Sequence, residues 1–246
     1  MNRILRALLF GSSVAITAFT AAAQLPDPAP FDTLLRANVN AGQVNYPGFQ
    51  DAAELKTYLA SLAKPVDLKT RPEQLAYNIN AYNAYAIQGI LDGLSPSTFF
   101  GRLRYFKNTQ WPLAGRRIAL HDIEHEVLRP LGDPRIHFAI ICASKSCPFL
   151  RSEAYTAAKL DAQLDEQARQ FINDPSRNRF DKATKTAQLS EIFKWFEDDF
   201  KGPGSLQKYL AKYANDADVA KILASDGFKV DWIPYDWSLN GTPPRR

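Results

Sequence analysis

TRPEQLAYNINAYNAYAIQGILDG, running from Thr70 to Gly93, is the stretch around which this 246-residue chain organises. Thr70-Arg-Pro-Glu73 is a capping-box pattern with proline in the first turn, where a missing N–H costs nothing. Gly93 supplies the residue that tolerates the left-handed conformation closing a helix. Leu75, Ile79, Tyr82, Ala86 and Ile90 recur at helical spacing on one face, and Tyr77, Ala81, Ala84 and Leu91 keep the other faces apolar. The pattern predicts a helix surrounded by protein. Asn78, Asn80 and Asn83 then need partners, because burying an unpaired amide costs about 1–3 kcal/mol.

The flanks read as further helices and short extended pieces. Phe31, Leu34 and Leu35 start a short helix, Val44 to Tyr46 is briefly extended, and Asp51 is a cap for a helix with Leu55, Tyr58, Leu59 and Leu62 on one face. Residues 95–120 interleave Arg102, Arg104, Lys107, Arg116 and Arg117 with Phe99, Phe100, Tyr105, Phe106 and Trp111. That mixture suits an anionic polymer. It also suits a hairpin pairing Gln110–Leu113 with Arg117–Leu120 across Ala114-Gly115, the reading we adopt. Further along come a short helix from Asp122 to Arg129, a strand from Ile136 to Ile141 and a helix from Tyr155 to Ile172. Asp181 to Leu189 is extended, Ser190 caps an aromatic-rich helix reaching Phe200, and helices near Leu206–Tyr213 and Asp218–Ala224 precede a strand from Phe228 to Pro234. The expected fold is α+β, a helix-rich single domain with a small, mainly antiparallel sheet over residues 31–240.

The N-terminus reads as a signal peptide over residues 1–23. Arg3 and Arg6 precede an apolar stretch from Ala7 to Ala22, and Ala21-Ala22-Ala23 offers a small-residue cleavage pattern. That stretch is short against the roughly 20 residues a membrane span needs. Residues 24–30 are a proline-rich lead-in and 241–246 a tail. Cleavage lowers the formal net charge from +4 to +2, so the basic balance does not mark a nucleic-acid binder. A chain with 46% hydrophobic and 12% aromatic residues is expected to fold. The expected product is periplasmic or secreted, without an integral membrane segment after cleavage.

Cys142 and Cys147 are the only cysteines. In an exported protein they are first a disulfide candidate. The rival is a reactive thiolate, which needs a nearby base or a positive environment. On a strand, Ile136, Phe138, Ile140 and Cys142 would share one face with His137 on the other, about 16 Å away. His125 is therefore the expected base, with Glu124 tuning it. His121-Asp-Ile-Glu-His125 matches a zinc-hydrolase pattern, but on a very short helix and without a third ligand, so no metal is assigned and no cofactor is implied. Ser144, Lys145 and Ser146 present a loop whose N–H groups suit an anion. Nucleotide-binding and serine-hydrolase signatures do not occur.

These residues give the chain a family likeness. It resembles the proteins grouped as domain-of-unknown-function 547 over nearly all of 31–240, through Ile79-Asn-Ala-Tyr-Asn-Ala84, Asp122-Ile-Glu-His125, Asp133-Pro-Arg-Ile-His-Phe-Ala139, Cys142-Ala-Ser-Lys-Ser-Cys-Pro148, Ile192-Phe-Lys-Trp195 and Pro234-Tyr-Asp-Trp-Ser-Leu-Asn240. By that resemblance Asn80, Asn83, Glu124, His125, His137, Cys142 and Cys147 hold family positions, while Asn78 and His121 depart from the pattern. Relatives that join such a domain to a glutaredoxin-like domain imply thiol chemistry. The expected function is thiol-dependent chemistry, hydrolase, transferase or redox, on a peptide-like or cell-envelope substrate. Cys142 is nucleophile, Cys147 its partner, and Asn80, Asn83 and His137 are binding residues. The alternative is a non-catalytic envelope domain stapled by a Cys142–Cys147 disulfide.

Overall fold

The helix read from the capping box runs from Arg71 to Leu91 and is the centre of the molecule. Thr70 Oγ accepts from the Glu73 backbone N–H while the Glu73 carboxylate caps the Thr70 N–H, and Gly93 takes φ +79° just beyond the end. The computed structural model describes residues 25–245, so the expected signal peptide lies outside the described residues. In chain order the α-helices are α1 (Ala29–Asn38), α2 (Ala53–Leu62), α3 (Arg71–Leu91), α4 (Phe99–Arg102), α5 (Leu120–Asp122), α6 (Leu160–Ile172), α7 (Glu191–Trp195), α8 (Leu206–Ala211) and α9 (Ala217–Ala224). No helix among the described residues is long and apolar enough to cross a membrane.

Among the described residues the strands are short and form three small sheets, mainly antiparallel, as expected for a helix-rich α+β domain. β1 (Val39–Asn40) pairs antiparallel with β2 (Gln43–Asn45), which pairs parallel with β8 (Gly241–Thr242). Gly241–Thr242, expected as tail, is therefore part of a sheet. β3 (Gln110–Leu113) and β4 (Arg116–Ala119) make the predicted hairpin, one residue off the expected register. Its turn has both central residues at positive φ, Ala114 and Gly115, which matches the twist of paired strands. β5 (Arg179–Asp181) pairs antiparallel with β6 (Thr186–Ser190), and β6 pairs parallel with β7 (Lys229–Ile233), Ser190 opposite Ile233.

Two apolar clusters meet beside the site. The larger surrounds α3 and takes in Phe31, Tyr46, Tyr105 and Leu164. The smaller is aromatic, built on Phe138, Phe171, Phe193 and Phe200. Three local expectations fail. Asp51 does not cap α2, whose N-cap is Ala52 without a side-chain bond, and Asp51 itself takes φ +64°. Tyr155–Lys159 precede the helix that starts at Leu160. The predicted strand Ile136–Ile141 is instead a 3-10 turn over Pro134–Phe138, capped by Asp133, followed by irregular chain. Its alternating Ile136, Phe138 and Ile140 are all buried, so the period of two reflected burial and not a pleat.

Candidate functional site

The cysteine loop is fixed from three sides. From α3, Asn83 Nδ2 donates to the Ala139 carbonyl at 2.9 Å and its Oδ1 accepts from Ile141 N–H at 3.0 Å. From the C-terminal segment, Ser144 bridges to Leu239, Lys145 N–H donates to the Ser238 carbonyl at 2.8 Å and Ser146 N–H to the Asp236 carbonyl at 3.2 Å. Arg177 donates to the carbonyls of Lys145 at 2.7 Å and Cys147 at 2.9 Å and is itself paired with Asp174. A left-handed turn at Ala143, φ +59°, folds the loop so that Cys142 N–H points at Cys147 Sγ, 2.7 Å away.

Cys142 is half-buried and Cys147 buried, and both are free thiols. The Cys142 Sγ lies 2.9 Å from Ser144 Oγ and 3.0 Å from Tyr235 Oη. Burial opposes ionisation of Cys142, but hydrogen bonds from Cys147, Ser144 and Tyr235 outweigh it and bring the thiol down to about 7. Burial and the contact with Cys142 push the Cys147 thiol well above the ordinary range. Both cysteines line a cavity of about 310 Å³ together with Glu124, His137, Tyr235 and a largely aromatic wall. Tyr235 gets there through the sheet: parallel pairing of β6 with β7 sets the chain leaving Ser190 beside the chain leaving Ile233. Trp195, Tyr235 and Trp237 consequently cluster with ring centroids 4.5 to 5.8 Å apart.

A polar chain runs behind the cavity. His137 Nε2 lies 2.7 Å from Asp199 Oδ2, and its Nδ1 faces Glu124 Oε1 at 3.5 Å, longer than a good hydrogen bond. Burial disfavours the imidazolium, yet the two carboxylates outweigh it and raise the His137 pKa. Phe196 stacks on this ring at 4.0 Å. Asp199 is also held by Arg129 through both carboxylate oxygens, at 2.7 and 2.8 Å. Arg129 in turn donates to His125 Nδ1 at 2.9 Å. A guanidinium has only donors, so His125 carries its proton on Nε2. Burial lowers the His125 pKa, Glu124 offsets this in part, and His121 and Arg129 lower it further.

Of the expected site residues, Cys142, Cys147, Glu124 and His137 come together around the cavity. His137 joins them because the strand that was to turn it away does not form. His125 is not in the cavity wall, and its lone pair is taken by Arg129. Asn80 and Asn83 support the site without facing it: Asn80 clamps Tyr155 through N–H and C=O at 2.9 and 2.8 Å, as Asn83 clamps the chain before Cys142. The loop offers less of the expected anion cradle than its sequence suggested. The N–H groups of Cys142, Lys145, Ser146 and Cys147 are already bonded, Ser146 Oγ accepts from Asp236 N–H at 2.8 Å, and the Lys145 side chain is exposed. Among the described residues, no group of three or more His, Cys, Asp or Glu side chains is placed to hold a metal ion.

Residue-level reading missed Tyr235, Asp199, Arg129 and Arg177. Tyr235 sits in the Pro234–Asn240 motif that carried the family likeness, and that was the available pointer. No curated protein and no solved structure matches the chain. The family match spans residues 66–172, shorter than the 31–240 expected, and covers both cysteines but neither Asp199 nor Tyr235. Over those residues the chain matches the family described as "Protein of unknown function, DUF547".

Proposed function

We propose that this is an exported domain in which Cys142 carries out thiol–disulfide exchange on a peptide-like or cell-envelope substrate, with Cys147 as the second thiol. The observation that carries the reading is the unequal pair: a half-buried thiol brought down to about 7 beside a buried thiol pushed far up. Attack requires the thiolate, and a thiol pKa near ambient pH is the favourable value for it. The Cys142 thiolate attacks one sulfur of a substrate disulfide, forming a mixed disulfide and releasing the other sulfur as a thiolate. Cys147 loses its proton and attacks Cys142 Sγ, which releases the second substrate sulfur and leaves a Cys142–Cys147 disulfide. An external dithiol resets the pair. A thiol half-ionised near pH 7 needs no adjacent base, so His125 is assigned a positioning role: it holds Arg129, and through it Asp199 and His137.

Acyl transfer by a cysteine hydrolase or transferase is the second reading, favoured by the Tyr235 hydroxyl and the Glu124–His137 pair in the same cavity wall. The occupied N–H groups of Cys142, Lys145, Ser146 and Cys147 weigh against it, because an oxyanion needs free donors. The two readings separate on a Cys147→Ser variant mixed with a disulfide-linked peptide probe. Exchange predicts one equivalent of mixed disulfide at Cys142 that persists in the variant and resolves in the parent protein with release of a second thiol. A native pair that is already oxidised, and that neither reductant nor probe reaches, sinks both and leaves a stapled binding domain.

A further inference from the structure

We propose that residues 95–117 form a membrane-docking surface that seats the mouth of the cavity on an anionic phospholipid bilayer. From Gly93 to Leu120 the chain has no acidic residue and five cations: Arg102, Arg104, Lys107, Arg116 and Arg117. Among the described residues none of the five meets a carboxylate; Arg102 and Arg117 bond to backbone carbonyls, of Pro96 and Gln110. Within this basic segment Phe99 and Phe100 are 62% and 80% exposed and packed edge-to-face at 5.4 Å on the turn capped by Thr98.

Phe100 lies outside the cavity wall and is exposed over most of its ring, and Phe99 beside it is exposed although it also lines the cavity. An exposed aromatic pair on a segment that carries five cations and no acid matches a bilayer interface, with rings at the acyl boundary and basic groups among the phosphates. Charge complementarity selects that occupant, since five cations that meet no carboxylate among the described residues favour an anionic surface. Position strengthens it. Phe99 and the 44% exposed Trp195 belong to the cavity wall as well as to the exposed surface, so docking here turns the cavity mouth toward the membrane. The proposal stands independently of the thiol reading.

The test is quenching of tryptophan fluorescence by vesicles of phosphatidylglycerol and phosphatidylethanolamine with brominated acyl chains, using the full chain. Quenching is expected, weakening as salt rises from about 0.1 to about 0.5 M and absent with phosphatidylcholine alone. Phe99→Ala/Phe100→Ala and Arg104→Glu/Lys107→Glu should each raise the lipid needed for half-maximal quenching about tenfold, while Cys142→Ser leaves it unchanged. Absence of quenching overturns the proposal. So does attachment that neither double substitution weakens, which places the contact elsewhere in the chain. Binding to a soluble polysulfate alone, equal in the parent and the Phe99→Ala/Phe100→Ala protein, also overturns it and leaves a polyanion patch.

Discussion

At Cys142, burial and hydrogen bonding pull the thiol in opposite directions, and the bonds win. The groups that lower it come from three places: the Cys147 thiol across the loop, Ser144 two residues on, and Tyr235 from the C-terminal segment. Each stabilises the thiolate more than the thiol, so removing one returns the group toward the ordinary cysteine value of about 8.5. Ser144→Ala and Tyr235→Phe should each move the alkylation midpoint of Cys142 upward, and the double variant further than either. The readout is the rate of carbamidomethylation against pH, followed by mass spectrometry. An unchanged midpoint in the double variant would remove the proposed cause of activation.

At the scale of the element, α3 acts as a scaffold. Its buried asparagines differ in what they hold. Asn78 Nδ2 donates to the Gln74 carbonyl within its own helix, whereas Asn80 and Asn83 each satisfy both an N–H and a C=O of a separate segment. Truncation of either orphans two buried backbone groups, at about 1–3 kcal/mol each. Asn83→Ala and Asn80→Ala should therefore cost about 2 kcal/mol or more in denaturant melts, and Asn78→Ala clearly less. Equal losses at all three positions would contradict the clamp. This helix was legible in the sequence because its signals are local: a capping box, a first-turn proline, a closing glycine and an all-round apolar surface. The strand read at Ile136–Ile141 failed because alternation means nothing where every face is covered. Half of the site was legible for the same reason, since Cys142, Cys147, Glu124 and His137 carry recognisable chemistry. Tyr235 and Asp199 arrive through sheet pairing and an aromatic cluster, and no nearby residue signals either event.

At the scale of the molecule, the ion pairs around α6 and behind the cavity set a pH window for stability. Glu153 is desolvated, but Gln163 and Arg151 more than compensate and hold its carboxyl down at about 2. Asp199 is held low by His137 and Arg129. Carboxylates depressed in the folded state stabilise it above their ordinary values, and that contribution is lost as pH falls through the folded ones. His137 runs the other way. Its raised value stabilises the fold below the ordinary histidine value of about 6.5 and is lost as pH rises through the folded value. Thermal melts against pH should show stability falling below about pH 4.5 and again above neutrality, with the part of that alkaline decline that precedes cysteine ionisation, below about pH 8.5, absent in His137→Gln. An alkaline limb that survives the substitution assigns it to another group.

The proposed function needs Cys142 to be an activated, accessible thiol beside a buried one that outside reagents do not reach. Alkylation of the native, reduced protein across pH, with each cysteine followed separately by peptide mass, tests this most directly. The prediction is half-maximal modification of Cys142 near pH 7 while Cys147 stays unmodified until the protein unfolds. Equal labelling of the two cysteines, or a Cys142 midpoint at the ordinary thiol value of about 8.5, would contradict it.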